Sequence, residues 1–254
     1  MKIVFLGTSG WYTSPAGNTA CVLIDSKDQY VVFDAGNGIY KLDKYITEGK
    51  PVSLFITHFH LDHVSGVHTL PKFTFPKGLD VYVGEGRKKD FDTLVNPPFT
   101  VGYKPQPENI HNLKMEIRLY ELIEGKNAAP FPITAAKLFH AYGNTGYRIS
   151  LEGKTIVYTG DCGLTDSRRE LVQGADLLIS ECSNIKTEEN DDWGHLDSIQ
   201  AATLAKEGNV KKLVLTHFGI GLYSKPEDRK EAERRAQEIF PNTVAAVDDL
   251  EVAI

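Results

Sequence analysis

A chain of 254 residues has room for one large α/β domain, and 41% hydrophobic against 24% charged residues is the balance of a globular protein, not of a fibrous, disordered or low-complexity one. The formal charge of −6 makes a broad electrostatic grip on a polyphosphate chain unexpected. The opening Met1-Lys2-Ile3-Val4-Phe5-Leu6-Gly7 has no signal-peptide pattern, no apolar run nears the ~20 residues of a membrane span, and the three cysteines lack CxxC spacing, so a reducing cytoplasm is expected.

In chain order, Lys2–Leu6, Ala20–Ile24 and Tyr30–Phe33 read as short strands rich in β-branched and aromatic residues. Gly36-Asn37-Gly38 opens a helix through Tyr40, Leu42 and Tyr45. Val52–Thr57 is a continuous apolar run, as in a strand buried on both faces, and ends at a histidine cluster. Leu79–Val83 is a further strand. The proline-bearing stretch from Gly84 to Pro132 predicts a helix near Arg87–Val95, an irregular loop, and strands near Met115–Tyr120 and Thr134–Phe139. Tyr147–Leu151 and Thr155–Tyr158 form a hairpin about Glu152-Gly153-Lys154. Strands Asp176–Ser180 and Lys212–Thr216 end at Glu181 and His217, helices span Asp197–Glu207 and Pro226–Phe240, and Leu250–Ile254 closes the chain as a strand. The mixed charges of the last helix indicate a solvated face. No linker-like stretch divides the chain, so residues 1–254 read as a single domain.

The chemistry concentrates at strand ends. His58, His60, Asp62 and His63 share one loop, and His140, Asp161 and His217 each end a predicted strand. Imidazole with carboxylate suits Zn²⁺, Mn²⁺ or Fe²⁺, and the absence of thiolate argues against a closed structural zinc site. Cys162 and Cys182 adjoin carboxylates but read as small buried fillers. Seven ligands exceed one tetrahedral ion and suffice for two, which a carboxylate such as Asp161 can bridge. His68 and His111 read as ordinary surface or core histidines. The run His58-Phe59-His60-Leu61-Asp62-His63 differs, because burying those groups unpaired is costly and gives no packing benefit.

Phe5-Leu6-Gly7-Thr8, Phe33-Asp34-Ala35-Gly36, Thr57 with that run, His140 followed by Gly146-Tyr147-Arg148, Tyr158-Thr159-Gly160-Asp161 and Leu215-Thr216-His217 resemble the metallo-β-lactamase superfamily, in its ribonuclease Z-like branch, across nearly the whole chain. The resemblance implies a four-layer αββα sandwich with its site at the edge between two sheets. It implies one ion on His58, His60 and His140, another on Asp62, His63 and His217, and Asp161 between them. It also implies that Glu181 orients His195, within Trp193-Gly194-His195-Leu196-Asp197-Ser198, as the acid that protonates a phosphodiester's leaving oxygen. The competing reading makes His195 a helix-start residue with Asp197 as the cap.

The long glycine- and proline-rich arm with which ribonuclease Z grips transfer RNA has no evident equivalent here. The expected activity is therefore a dinuclear metal-dependent phosphodiesterase acting on a small phosphodiester, such as a cyclic nucleotide or cyclic sugar phosphate. Asp62 would accept or orient the proton of the attacking water. The alternatives are transfer RNA 3′-processing and hydrolysis of a carboxylic ester, thioester or lactone on the same metal pair. Zinc is the expected metal, with manganese or iron as alternatives. Arg148 and Lys225 are candidate phosphate clamps, more simply read as surface charges. Relatives often dimerise, and Trp11-Tyr12 either joins such an interface or lines the pocket.

Overall fold

The structure is a computed structural model that describes residues 1–100, 102, 115–128, 130–186 and 192–254; His111, Lys104 and Lys114 lie outside the described residues. Its strands begin with β1 (Lys2–Gly7), β2 (Ser9–Gly10), β3 (Cys21–Asp25), β4 (Tyr30–Phe33), β5 (Val52–Phe55), β6 (Leu79–Gly84) and β7 (Ile117–Leu122). They continue with β8 (Gly125–Asn127), β9 (Ile133–Leu138), β10 (Asn144–Leu151), β11 (Lys154–Tyr158), β12 (Leu177–Cys182), β13 (Leu213–Gly219), β14 (Thr243–Ala245) and β15 (Leu250–Ala253). The α-helices are α1 (Leu61–Val64), α2 (Lys88–Leu94), α3 (Asp166–Val172), α4 (Ser198–Glu207) and α5 (Pro226–Gln237).

These strands build two sheets, in the orders β15-β1-β3-β4-β5-β6-β7 and β14-β13-β12-β11-β10-β9-β8, with β2 pairing onto β13. Within each, a parallel half (β4 to β7, β11 to β14) adjoins an antiparallel half. Both faces of each sheet are covered, and the period-2 pattern shows it. On β1, Val4 and Leu6 point to one apolar layer while Ile3 and Phe5 point to another. On β12, Leu177 and Ile179 join that second layer and Leu178 and Cys182 a third. Three apolar layers separate four structural ones: helices, sheet, sheet, helices. The chain thus has the expected αββα sandwich.

The layer between the sheets is aromatic at its centre. Phe33 stacks on Tyr158 at 4.9 Å and Phe55 on Tyr82 at 4.7 Å, fully buried contacts that truncation to alanine should cost roughly 3–5 kcal/mol each. Two tyrosine hydroxyls cross the gap to the opposite sheet, Tyr147 donating to the Ile56 carbonyl at 2.6 Å and Tyr158 to Asp34 at 2.8 Å.

Several expectations need correction. The helix after Gly36 is a 3₁₀ helix, Asn37–Lys44, and a second one, Ser65–Lys72, follows the histidine run. Asp62 and His63 sit on α1 rather than in a loop, with His60 as its N-cap. Strand β12 continues past Glu181 and β13 past His217, so both side chains project from within strands. The last helix is not solvated all round: Arg229 is buried and donates to Thr8 Oγ1 at 2.8 Å and Ser9 Oγ at 2.9 Å. Arg148 is not a plain surface charge: it donates to the Leu171 and Gln173 carbonyls at the end of α3.

Candidate metal centre

The C-terminal ends of β5, β9, β11 and β13 meet at one edge of the sandwich, and the histidines and aspartates singled out above converge there. His58, His60, His140 and Asp161 form one set; Asp62, His63, His217 and Asp161 form the other, each with its ligand atoms within 4.8 Å of one another. In the first set, His60 Nδ1 lies 3.0 Å from His58 Nε2 and 3.1 Å from His140 Nε2, and Asp161 Oδ2 lies 3.9 Å from each of those Nε2 atoms. In the second, His217 Nε2 lies 3.0 Å from His63 Nε2 and 3.1 Å from Asp62 Oδ2, with Asp161 Oδ1 at 3.3 Å from both imidazoles. The carboxylate of Asp161 therefore turns one oxygen to each set.

The donors fit a pair of divalent cations. A tetrahedral ion with arms of about 2.0–2.1 Å needs ligand atoms roughly 3.3–3.4 Å apart, close to these separations. Asp161 Oδ1 is buried with no hydrogen-bond partner, which is costly for an anionic oxygen unless a cation faces it.

Outer contacts hold the ring nitrogens. His63 Nδ1 donates to Asp34 Oδ2 at 2.8 Å, His217 Nδ1 to Ser183 Oγ at 2.8 Å, His58 Nδ1 to Thr57 Oγ1 at 3.1 Å and His140 Nδ1 to the Gly194 carbonyl at 3.3 Å. Each bond favours a proton on Nδ1, so that the Nε2 lone pair would be free to face a bound cation. Asp34 is fully buried at φ +57° and also accepts from Thr57 N at 2.8 Å and Tyr158 OH at 2.8 Å. Gly10 is required by proximity, since a Cβ there would lie 2.5 Å from the His217 ring.

The electrostatics separate the sets. Burial and neighbouring imidazoles push His58 and His60 below their ordinary pKa, and burial does the same for His140, so the three imidazoles of the first set are neutral and able to donate lone pairs. In the second set burial opposes charge, yet Asp161 and Asp62 are held well below the usual carboxylate range by His217 and His63. Against the effect of burial, Asp161 and its neighbouring carboxylates push His63 and His217 above their ordinary pKa, so their imidazoliums balance the two carboxylates, a role that a divalent cation would take over.

Beside the sets lies His195, half-buried, whose Nδ1 meets Glu181 Oε1 at 3.0 Å. Glu181 is buried and is itself fixed by the Cys162 N–H at 2.7 Å, Ser183 N–H at 3.2 Å and Leu196 N–H at 3.3 Å. Asp197 caps α4, accepting from Ile199 N and Gln200 N, so the helix start is served without the His195 ring. A cavity of about 990 Å³ borders His195, Asp161, Asp62 and His60, and Trp11, Tyr12, Tyr142 and Trp193 line it too. Of these four, the sequence pointed to Trp11 and Tyr12 only as pocket or interface residues, and gave no signal for Tyr142. Neither cysteine joins a set: Cys162 lies against Arg168 and Cys182 against Tyr223, both buried. Among the described residues no helix is long and apolar enough to cross a membrane.

A sandwich of this topology, with histidine and aspartate sets at the edge shared by its sheets, has the build of a metal-dependent hydrolase. The chain belongs to the β-lactamase superfamily: the sequence pattern of the "Beta-lactamase superfamily domain" matches residues 29–218. It is 28% identical to the probable metallo-hydrolase YhfI of Bacillus subtilis, over 87% of this chain and 89% of that protein. Against ribonuclease Z of Archaeoglobus fulgidus it is 27% identical, over all of this chain and 97% of that one, which places it in the ribonuclease Z-like branch. The crystal structure of YhfI superposes with a TM-score of 0.79 at 24% identity, covering 99% of this chain and 98% of that one. Human short-form tRNase Z superposes with a TM-score of 0.75, also at 24% identity, over all of this chain and 99% of that one.

Proposed function

We propose that residues 1–254 form one cytoplasmic phosphodiesterase domain for a small phosphodiester, with two divalent ions, zinc or else manganese or iron, held by His58, His60 and His140 and by Asp62, His63 and His217, and Asp161 between them. The observation that carries the reading is the Glu181–His195 pair beside Asp161, the carboxylate shared by the two sets. When bound, the ions would supply Lewis acidity toward the phosphoryl oxygens. Asp62 takes the proton of the attacking water on its carboxylate. Glu181 keeps the His195 Nδ1 proton in place and steadies the imidazolium, so Nε2 delivers its proton to the departing alkoxide. His195 is then neutral, with Nδ1–H still on Glu181, and regains its proton from solvent as Asp62 releases one.

Small substrates are favoured over transfer RNA by the charge of −6 and by the alignment with ribonuclease Z, which runs over 315 positions against the 254 residues of this chain, so that relative carries segments without counterpart here. Asp62→Ala should lower turnover of bis-p-nitrophenyl phosphate by orders of magnitude while leaving the fold intact; full activity in that variant refutes the assignment. A panel of zinc- or manganese-loaded protein against cyclic nucleotides, a thioester and precursor transfer RNA discriminates the substrate classes.

One observation favours a second reading. Among the described residues lining the cavity there is no lysine or arginine, so a neutral carboxylic ester, thioester or lactone would meet no mismatch. An alkoxide or thiolate leaving from carbon does not strictly need His195, and an undiminished rate in His195→Ala would select this alternative.

A further inference from the structure

The two metal sets do not account for the aromatic residues that stand over them. Trp11 and Tyr142 have φ of +75° and +69°, a region that bulky L-residues rarely occupy and that recurs at functional sites. The two residues are 77% and 82% exposed, so burial is not what holds them there. Polar contacts pin both main chains: the Trp11 N–H donates to Asp62 Oδ2 at 2.7 Å, and Arg87 Nη2 donates to the Tyr142 carbonyl at 2.5 Å.

The two residues attend different sets. Trp11 is tied to Asp62 of the second, with the Tyr12 ring 5.7 Å from its own, whereas the Tyr142 ring lies 6.2 Å from His60 of the first. All three line the cavity, whose volume of about 990 Å³ is at the upper end for small-molecule sites and far exceeds a phosphate. With no lysine or arginine among its described lining residues, the phosphate is left to the metal sets and His195, and further affinity must come from the substituents of the diester. Aromatic faces reward planar groups: a stacked base gains roughly five- to a hundredfold in affinity, which an alkyl or sugar group does not match.

We propose that this cavity selects phosphodiesters bearing a planar aromatic substituent, a nucleobase foremost, stacked by Tyr142 beside one metal set or by the Trp11–Tyr12 pair beside the other. The diester part of this statement rests on the phosphodiesterase reading; the stacking part does not.

Two esters that share a methoxide leaving group test it on zinc- or manganese-loaded protein, with cleavage followed by chromatography: adenosine 5′-(methyl phosphate) and ribose 5-(methyl phosphate). The nucleoside ester should have a KM roughly five- to a hundredfold lower, with kcat little changed. Tyr142→Ala or Trp11→Ala should erode that ratio, and Tyr142→Phe should keep it. Isothermal titration of the same proteins with adenosine 5′-monophosphate and ribose 5-phosphate reads stacking without turnover, and the nucleotide should bind more tightly by a similar factor. Protein that hydrolyses neither ester yet retains this binding preference, lost in the alanine variants, refutes the phosphodiesterase reading and supports the stacking. Equal KM and equal binding within each pair, or ratios unmoved by both alanine variants, overturn the stacking.

Discussion

Asp34→Asn exchanges one carboxylate oxygen for an amide at a position that touches no substrate. The backbone should tolerate it, because asparagine is among the side chains that accept a φ of +57°. The hydrogen bonds should not. His63 Nδ1 and the Tyr158 hydroxyl both lie 2.8 Å from Oδ2, and both donate to it. An amide nitrogen there presents hydrogens to two donors. Flipping the amide moves the conflict to the Thr57 N–H, 2.8 Å from Oδ1. Tyr158 can rotate its O–H, but His63 can adapt only by carrying its proton on Nε2, the atom 3.0 Å from His217 Nε2 and 3.3 Å from Asp161 Oδ1. Loss of such an outer contact typically lowers metal affinity about 10–100-fold, or roughly 1.4–2.7 kcal/mol. A buried donor left without a partner costs the metal-free fold about 1–3 kcal/mol. Metal per chain by plasma emission spectrometry, competition against a chelating dye, and urea unfolding of the metal-free protein measure the two effects. Metal retained at wild-type stoichiometry and affinity would refute the argument that Asp34 sets the His63 tautomer.

The remaining predictions concern the acid and the thiols. Glu181→Gln should slow cleavage of an alkyl diester by roughly 10–100-fold more than cleavage of a p-nitrophenyl diester, because only the alkoxide needs a proton on departure; equal losses for both would mean that Glu181 is merely structural. The three cysteines should resist alkylation in the native protein, since burial pushes Cys162 up to about 11, Cys182 up to about 12 and Cys21 well above its ordinary value. An unfolded thiol ionises near pH 8.5, so above that pH the unfolded chain binds fewer protons than the native one. Stability should then fall with rising pH, by up to about 1.4 kcal/mol per unit for each thiol. Urea midpoints between pH 8 and 10 should show this slope, and a variant with all three cysteines replaced by alanine should flatten it.

The parts of this molecule that were legible in the sequence are those whose physics is local. Tyr30–Phe33 reads as a strand because every residue is apolar and β-forming, and it is one. The run from His58 to His63 signals a metal because no core could absorb it unpaired. The residues that were not legible act over long sequence separations. Ser183, which fixes His217, is one serine among many until β12 and β13 pair and bring the two within 2.8 Å. Arg229 sits in a helix whose charges suggest a solvated face, and only the packing of α5 reveals that its guanidinium braces Thr8 and Ser9 beneath the loop carrying Trp11. Tyr142 and Trp11 lie far apart along the chain and share no motif. Their common feature, an aromatic side chain on left-handed backbone beside a metal set, exists only in three dimensions. Pairing patterns and buried charge therefore expose the reaction class early, whereas substrate choice depends on residues whose role appears only after the two sheets have closed.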